Sequence, residues 1–108
     1  MTTGTIVLIP FPFAELTNVK VRPAIIISVT KDKYQDLILC AISSVVPANP
    51  GSFEMIIQPN AVNKLRVSSV IKIDRIVTLK KENLIATLGI LSDTELTHFR
   101  KKFKDLID

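Results

Sequence analysis

The feature that most constrains this chain is the shortness of its apolar runs. The longest, Ala24–Val29 and Leu37–Ile42, have the length of strands, and residues that turn a chain flank them. A membrane-spanning helix needs roughly 20 consecutive apolar residues, so no membrane span is expected. Thr5–Ile9 is a β-branched run closed by Pro10-Phe11-Pro12-Phe13. Two prolines so close together cannot both feed a strand ladder. The pattern therefore predicts a loop from there through Glu15-Leu16-Thr17-Asn18 to Arg22-Pro23. Ala24–Val29 reads as a strand buried on both faces. Lys31-Asp32-Lys33 predicts a polar turn, and Leu37–Ile42 the next strand. Pro47-Ala48-Asn49-Pro50-Gly51 is the strongest turn signal.

Phe53–Ile57 resumes as a strand, which Pro59-Asn60 ends, and Ala61–Leu65 predicts one helical turn. In Ser69–Ile73 the residues alternate, Ile71 and Ile73 facing one way and Lys72 and Asp74 the other, as in a half-exposed strand. Ile76–Leu79 and Ile85–Gly89 are further short strand candidates. The end of the chain changes character. Ser92-Asp93-Thr94-Glu95 is a capping box, after which Leu96, Phe99, Phe103 and Leu106 recur at helical spacing. That stripe is expected to dock a helix on the sheet. Short strands followed by one helix predict a mainly β fold, a small barrel or curled antiparallel sheet with a C-terminal α-helix. Residues 1–108 contain no repeat or linker and read as a single domain.

Composition narrows the chemistry. Hydrophobic residues make up 47% of the chain, enough for a core without staples, and the single cysteine forbids an internal disulfide. Both suit a reducing cytoplasm. Met1-Thr2-Thr3-Gly4 lacks the basic-then-apolar pattern of a signal peptide. A net charge of +4 permits an acidic partner such as RNA, although the Arg100-Lys101-Lys102 and Lys104 cluster reads as a solvated helix face. With one histidine, His98, a two-histidine acid–base pair is impossible. No His/Cys/carboxylate spacing suits zinc, and Asp32, Asp36, Glu54 and Asp74 are scattered over strands and turns, so no metal site and no cofactor are expected. Three glycines form no phosphate loop. Cys40 lies in an apolar strand and reads as a small core residue.

Three segments, in order, carry a family resemblance. The first is Gly4-Thr5-Ile6-Val7 with a Pro/Phe-rich stretch ending in Arg22-Pro23-Ala24. The second is Cys40-Ala41-Ile42-Ser43-Ser44. The third is Ser69–Leu79, containing Asp74-Arg75-Ile76-Val77-Thr78-Leu79. Together with Leu88–Ser92 and the terminal helix, they resemble the MazF/PemK toxins over essentially the whole chain. The resemblance implies an SH3-like small barrel with a C-terminal α-helix. It also implies a homodimeric, cytoplasmic endoribonuclease that cuts single-stranded RNA, and a cognate antitoxin that neutralises it. The chain departs from the family pattern at Thr5, where Asp is usual, at Ser43, where Thr is usual, and at Arg75 and Val77, where Gln and Arg are usual.

RNA can be cut without a metal because its own 2′-hydroxyl can attack the adjacent phosphorus. The protein must then hold the phosphate in line, stabilise its charge and move two protons. Arg22 suits the first two tasks, since its planar guanidinium grips two phosphate oxygens, and Pro23 biases it to extended backbone. The ordinary reading is a surface arginine paired with a carboxylate such as Glu15. The resemblance favours a catalytic Arg22. Ser43 ends an apolar strand and can donate to a phosphate oxygen; alternatively, Ser43 or Ser44 satisfies nearby backbone. Lys20, Ser44 and Thr78 are candidate substrate contacts, with a solubilising charge for Lys20 and a plain strand residue for Thr78 as the ordinary readings. Phe11 and Phe13 either stack on bases or plug the barrel edge.

Two other functions compete with the nuclease. One is a non-catalytic, protein-binding toxin like the gyrase poisons of the same superfamily, which rely on a Trp-containing C-terminal tail. This chain lacks Trp and ends Leu106-Ile107-Asp108. The other is an inert homologue that only binds antitoxin.

Overall fold

The computed structural model describes residues 2–11 and 20–108. The expectations placed on Phe13, Glu15 and Leu16 lie outside the described residues, as does the side chain of Phe11.

Six strands run β1 (Thr5–Phe11), β2 (Lys20–Val29), β3 (Leu37–Ser43), β4 (Glu54–Ile57), β5 (Ser69–Leu79) and β6 (Ala86–Ile90), followed by the helix α1 (Asp93–Ile107). They form one curled antiparallel sheet in the order β4-β5-β3-β2-β1-β6. The mainly β architecture with a terminal helix expected from the sequence is the one observed.

The run Ala24–Ile26 is buried because the sheet carries a core on each face. Ile6, Ile25, Ile42, Ile71 and Ile73 join Phe99 of α1 on one face, with Leu96, Phe103 and Leu106 packed alongside. The helical stripe thus docks on the sheet as its spacing required. Val7, Ile9, Ala24, Ile26, Leu37 and Leu39 form the second core. Val77 and Leu79 of β5, together with Leu84 just before β6, pack against it. Three strands separate β5 from β6 in the sheet order, so both can reach one cluster only if the sheet curls.

Two expectations are corrected. The first is the loop reading at Pro10-Phe11 and at 20–23: Pro10 and Phe11 belong to β1 and Lys20–Pro23 to β2. Pro10 pairs with Val21 and Pro23 with Leu8. Pairing of β1 with β6 ends at Leu8, and pairing of β2 with β3 ends at Ala24. Each proline therefore sits where its strand has a neighbour on one side only, the position in which a missing N–H is tolerated. Second, the two candidates Ser69–Ile73 and Ile76–Leu79 are one strand, β5. Its register slips between Cys40↔Ile76 and Ala41↔Lys72, which leaves Ile73, Asp74 and Arg75 as an extended bulge. Inside the bulge, Ile73 N–H donates to Phe53 O at 2.9 Å, and Cys40 Sγ–H donates to Ile73 O at 3.3 Å. Burial, aided by the nearby Asp74 charge, pushes the Cys40 thiol up to about 12. The helical turn expected over 61–65 is present as a single turn, in which Lys64 N–H donates to Asn60 O at 3.1 Å, the spacing of one α-helical turn.

The capping box is present. Glu95 N–H donates to Ser92 Oγ at 3.2 Å and Ser92 N–H to Glu95 Oε1 at 2.8 Å. Among the described residues, no helix is long and apolar enough to cross a membrane.

Candidate functional site

The start of β2 and the end of β3 lie side by side. Their pairing ends at Ala24↔Ala41. Two steps further along the same register stand Arg22 and Ser43, and two steps beyond Arg22 stands Lys20. Residues two apart in a strand share a face, so Lys20, Arg22 and Ser43 belong to one face of the sheet. Arg22 and Ser43 are half-buried and Lys20 is exposed.

A groove of about 410 Å³ opens at this end of the sheet. Arg22, Pro23 and Val21 of β2 line one side, and Ser44 and Ile42 the end of β3. Leu8 and Leu88 complete its apolar floor, and 64–67 forms the opposite wall. The wall adds two cations, Lys64 and Arg66, and among the described residues no carboxylate lines the groove. None of the three cations pairs with a carboxylate among the described residues, where the one ion pair is Lys72–Glu54 on β5 and β4. The hydrogen bond from Lys72 is the main reason that Glu54 sits below the usual carboxylate range.

The sequence candidates divide between sites. Arg22 and Ser44 line the groove. Ser43 does not line it and by alternation lies on the opposite face of β3 from Ile42, and its Oγ accepts a hydrogen bond from Val45 N at 3.1 Å, the backbone-satisfying contact that was its ordinary reading. The hydroxyl proton is not used by that contact. Thr78 is elsewhere: it pairs with Ile38, five residues along β3 from Ser43. Lys20 pairs with Phe11 at the tip of β2 and does not line the groove. Of the three charge-altering departures from the family pattern, Thr5 donates to Thr2 O at 2.8 Å, Arg75 lies in the β5 bulge, and Val77 packs on the second core. None of these three lines the groove.

Sequence reasoning missed Lys64 and Arg66. They follow a turn signal, Pro59-Asn60, that marks a loop but not what the loop faces. Asn63 and Glu95 were missed as well. The Asn63 side chain is fully buried, accepts from Asn60 N and Leu65 N at 3.0 Å each, and donates to Gln58 O at 2.8 Å. Glu95 uses its second oxygen to accept from Asn60 Nδ2 at 3.2 Å and Asn63 Nδ2 at 3.3 Å. The residue that caps α1 therefore also ties down the loop that walls the groove. His98 is exposed, and among the described residues no group of three or more His, Cys, Asp or Glu side chains is placed to hold a metal ion.

Comparison with known proteins bears on the family and the fold. The family described as PemK-like, MazF-like toxin of type II toxin–antitoxin system matches residues 2–107. No curated protein matches the chain. Three solved structures share the fold. The Mycobacterium tuberculosis toxin MazF-mt6 has 17% identity and a TM-score of 0.70, with 96% of each chain covered. An endoribonuclease from a mycobacterial species, in complex with its cognate antitoxin, has 14% identity and a TM-score of 0.73, with 97% of this chain and 92% of that one covered. MazF from Deinococcus radiodurans has 23% identity and a TM-score of 0.68, with 97% and 94% covered.

Proposed function

The chain belongs to the PemK-like, MazF-like toxins of type II toxin–antitoxin systems, and on that premise we propose that it is an endoribonuclease that cuts single-stranded RNA without a metal ion. The observation that carries this reading is the meeting of Arg22 with the end of β3 at a groove lined by cations and, among the described residues, by no carboxylate. Such a groove attracts the RNA backbone.

The reaction is transesterification. The RNA 2′-oxygen forms a bond to phosphorus as the bond from phosphorus to the 5′-oxygen breaks. The 2′-hydroxyl proton leaves to solvent water, a proton from water arrives on the 5′-oxygen, and the products are a 2′,3′-cyclic phosphate and a free 5′-hydroxyl. Arg22 holds two non-bridging oxygens and neutralises charge as it builds at the pentacoordinate phosphorus. Ser43, whose oxygen already accepts from Val45 N, turns its proton toward the same phosphate. Ser44 and Lys20 contact flanking nucleotides. Thr78 is five residues along β3 from Ser43 and contributes least to this scheme.

The partners belong to the same reading. Val21 and Val67, 52% and 54% exposed at the groove's lip, favour a homodimer that covers them. A cognate antitoxin is proposed to lay an acidic, apolar segment over the same basic surface, ordering as it binds. The proposed location is the cytoplasm.

Incubation of the purified protein with a long unstructured RNA tests the activity. Discrete fragments carrying 5′-hydroxyl ends support it. Intact RNA, with the antitoxin still bound by the protein, would establish the inert alternative instead.

A further inference from the structure

We infer that residues 58–68 form a preformed phosphate-binding wall, in which Lys64 and Arg66 hold RNA phosphates neighbouring the one that Arg22 grips. This rests on the proposed ribonuclease activity and adds to it a second set of substrate-binding residues.

The first support is charge. Lys64 and Arg66 line the same groove as Arg22, and among the described residues no lining carboxylate neutralises them. The floor between them is apolar, built from Leu8, Ile42 and Leu88. A cationic rim over an apolar floor fits an unpaired nucleotide, whose phosphate goes to the rim and whose base leaves water for the floor. A duplex, with its bases stacked inward, cannot use that floor.

The second support is rigidity. Asn60 Oδ1 accepts from Val62 N at 2.9 Å and Asn63 N at 2.7 Å, and Asn63 Oδ1 returns the bond to Asn60 N. Glu95 clamps both amides from the helix N-terminus. Gly89 completes the seat, because a Cβ there would stand 2.5 Å from Val62 O. A loop held this firmly loses little entropy when it binds a ligand.

The third support is backbone strain. Lys64 has φ of +58°, in the left-handed region where glycine or asparagine is unstrained. A lysine held there against its preference, at the lip of a ligand-sized groove, is the kind of outlier that accompanies binding sites.

The test uses the full-length protein and a 2′-O-methyl RNA of roughly ten nucleotides and mixed sequence, within the range of single-strand site sizes. Such an RNA keeps its phosphates but cannot be cut. Its dissociation constant is measured against salt for the wild type, for Lys64→Gln with Arg66→Gln, and for Arg100→Gln with Lys101→Gln. The last pair removes the same charge from the exposed face of α1. Each lost phosphate contact lowers the salt slope by about 0.7. The groove variant is therefore expected to lose about 1.4 from its slope, which at 0.1 M salt is a weakening of about 25-fold. On cleavable RNA its KM should rise with kcat little changed, and the helix variant should follow the wild type.

Equal slopes for the groove variant and the wild type would overturn the inference while leaving the nuclease intact. So would normal RNA binding by the groove variant combined with lost binding of poly-glutamate, which would assign the wall to an acidic protein partner. A wild-type protein that binds no RNA would remove both this inference and the activity beneath it.

Discussion

Gly89→Ala should be among the most damaging single-methyl additions to this protein. The new Cβ would lie 2.5 Å from Val62 O, 2.6 Å from Asn63 O and 2.8 Å from Asn63 C. A carbon meets a carbonyl oxygen comfortably at about 3.3 Å or more, so one backbone must retreat by roughly 0.8 Å. Neither can do so freely. Val62 O accepts Ile90 N–H at 3.1 Å, and the buried Asn63 is fixed to Gln58, Asn60, Leu65 and Glu95. Overpacking of this kind costs about 1–3 kcal/mol, and losing the Ile90–Val62 bond adds about 1 kcal/mol. The sum is about 2–4 kcal/mol, or roughly 10–20 °C in Tm for a chain of this size. Gly51→Ala is the control, since its Cβ would meet only the Glu54 side chain, at 3.3 Å. Thermal and urea unfolding followed by circular dichroism measure both variants. If Gly89→Ala melted with the wild type, the 58–68 loop would not be seated on β6 as described.

Arg22→Ala should lower the cleavage rate by about 10²–10³, as loss of one preorganised charge-stabilising donor does. Ser43→Ala should lower it less and Ser43→Thr should keep it, all in single-turnover assays; a fully active Arg22→Ala would remove Arg22 from the chemistry. Glu95→Gln leaves an acceptor for Ser92 N–H but turns an N–H toward Asn60 and Asn63, so KM for RNA should rise severalfold while the helix signal stays constant. An unchanged KM would mean the clamp does not position the wall. Cys40 should resist alkylation in the folded protein at pH 8. Because its folded pKa is raised from 9.0 to about 12, its contribution to stability is present below pH 9 and is lost as pH rises toward 12. Stoichiometric labelling under native conditions would show that the strand opens.

Most of the fold was legible because it rests on local signals. The Ser92/Glu95 box and the Leu96–Leu106 stripe carry their own periodicity, and the strands are bounded by turn chemistry. The prolines misled because their tolerance depends on which neighbour a strand lacks, and that is a tertiary fact. Asp74-Arg75 reads as a break, whereas Cys40 and Phe53 satisfy the backbone of a bulge there and let β5 continue. Arg22 and the end of β3 were legible through the family pattern. Lys64 and Arg66 were not, since an exposed basic loop looks alike whether it faces solvent or a groove. Asn63 gives no sign in the sequence of being buried, because asparagine after a turn is usually exposed.

Attack by the RNA's own 2′-hydroxyl at this site can be read from a matched pair of RNAs. One carries a 2′-deoxy nucleotide on the 5′ side of a mapped cut, and the other is unmodified. Both should bind alike, only the unmodified RNA should be cut at that bond, and its 5′ fragment should end in a 2′,3′-cyclic phosphate. Cleavage of the deoxy substrate at the normal rate would contradict it.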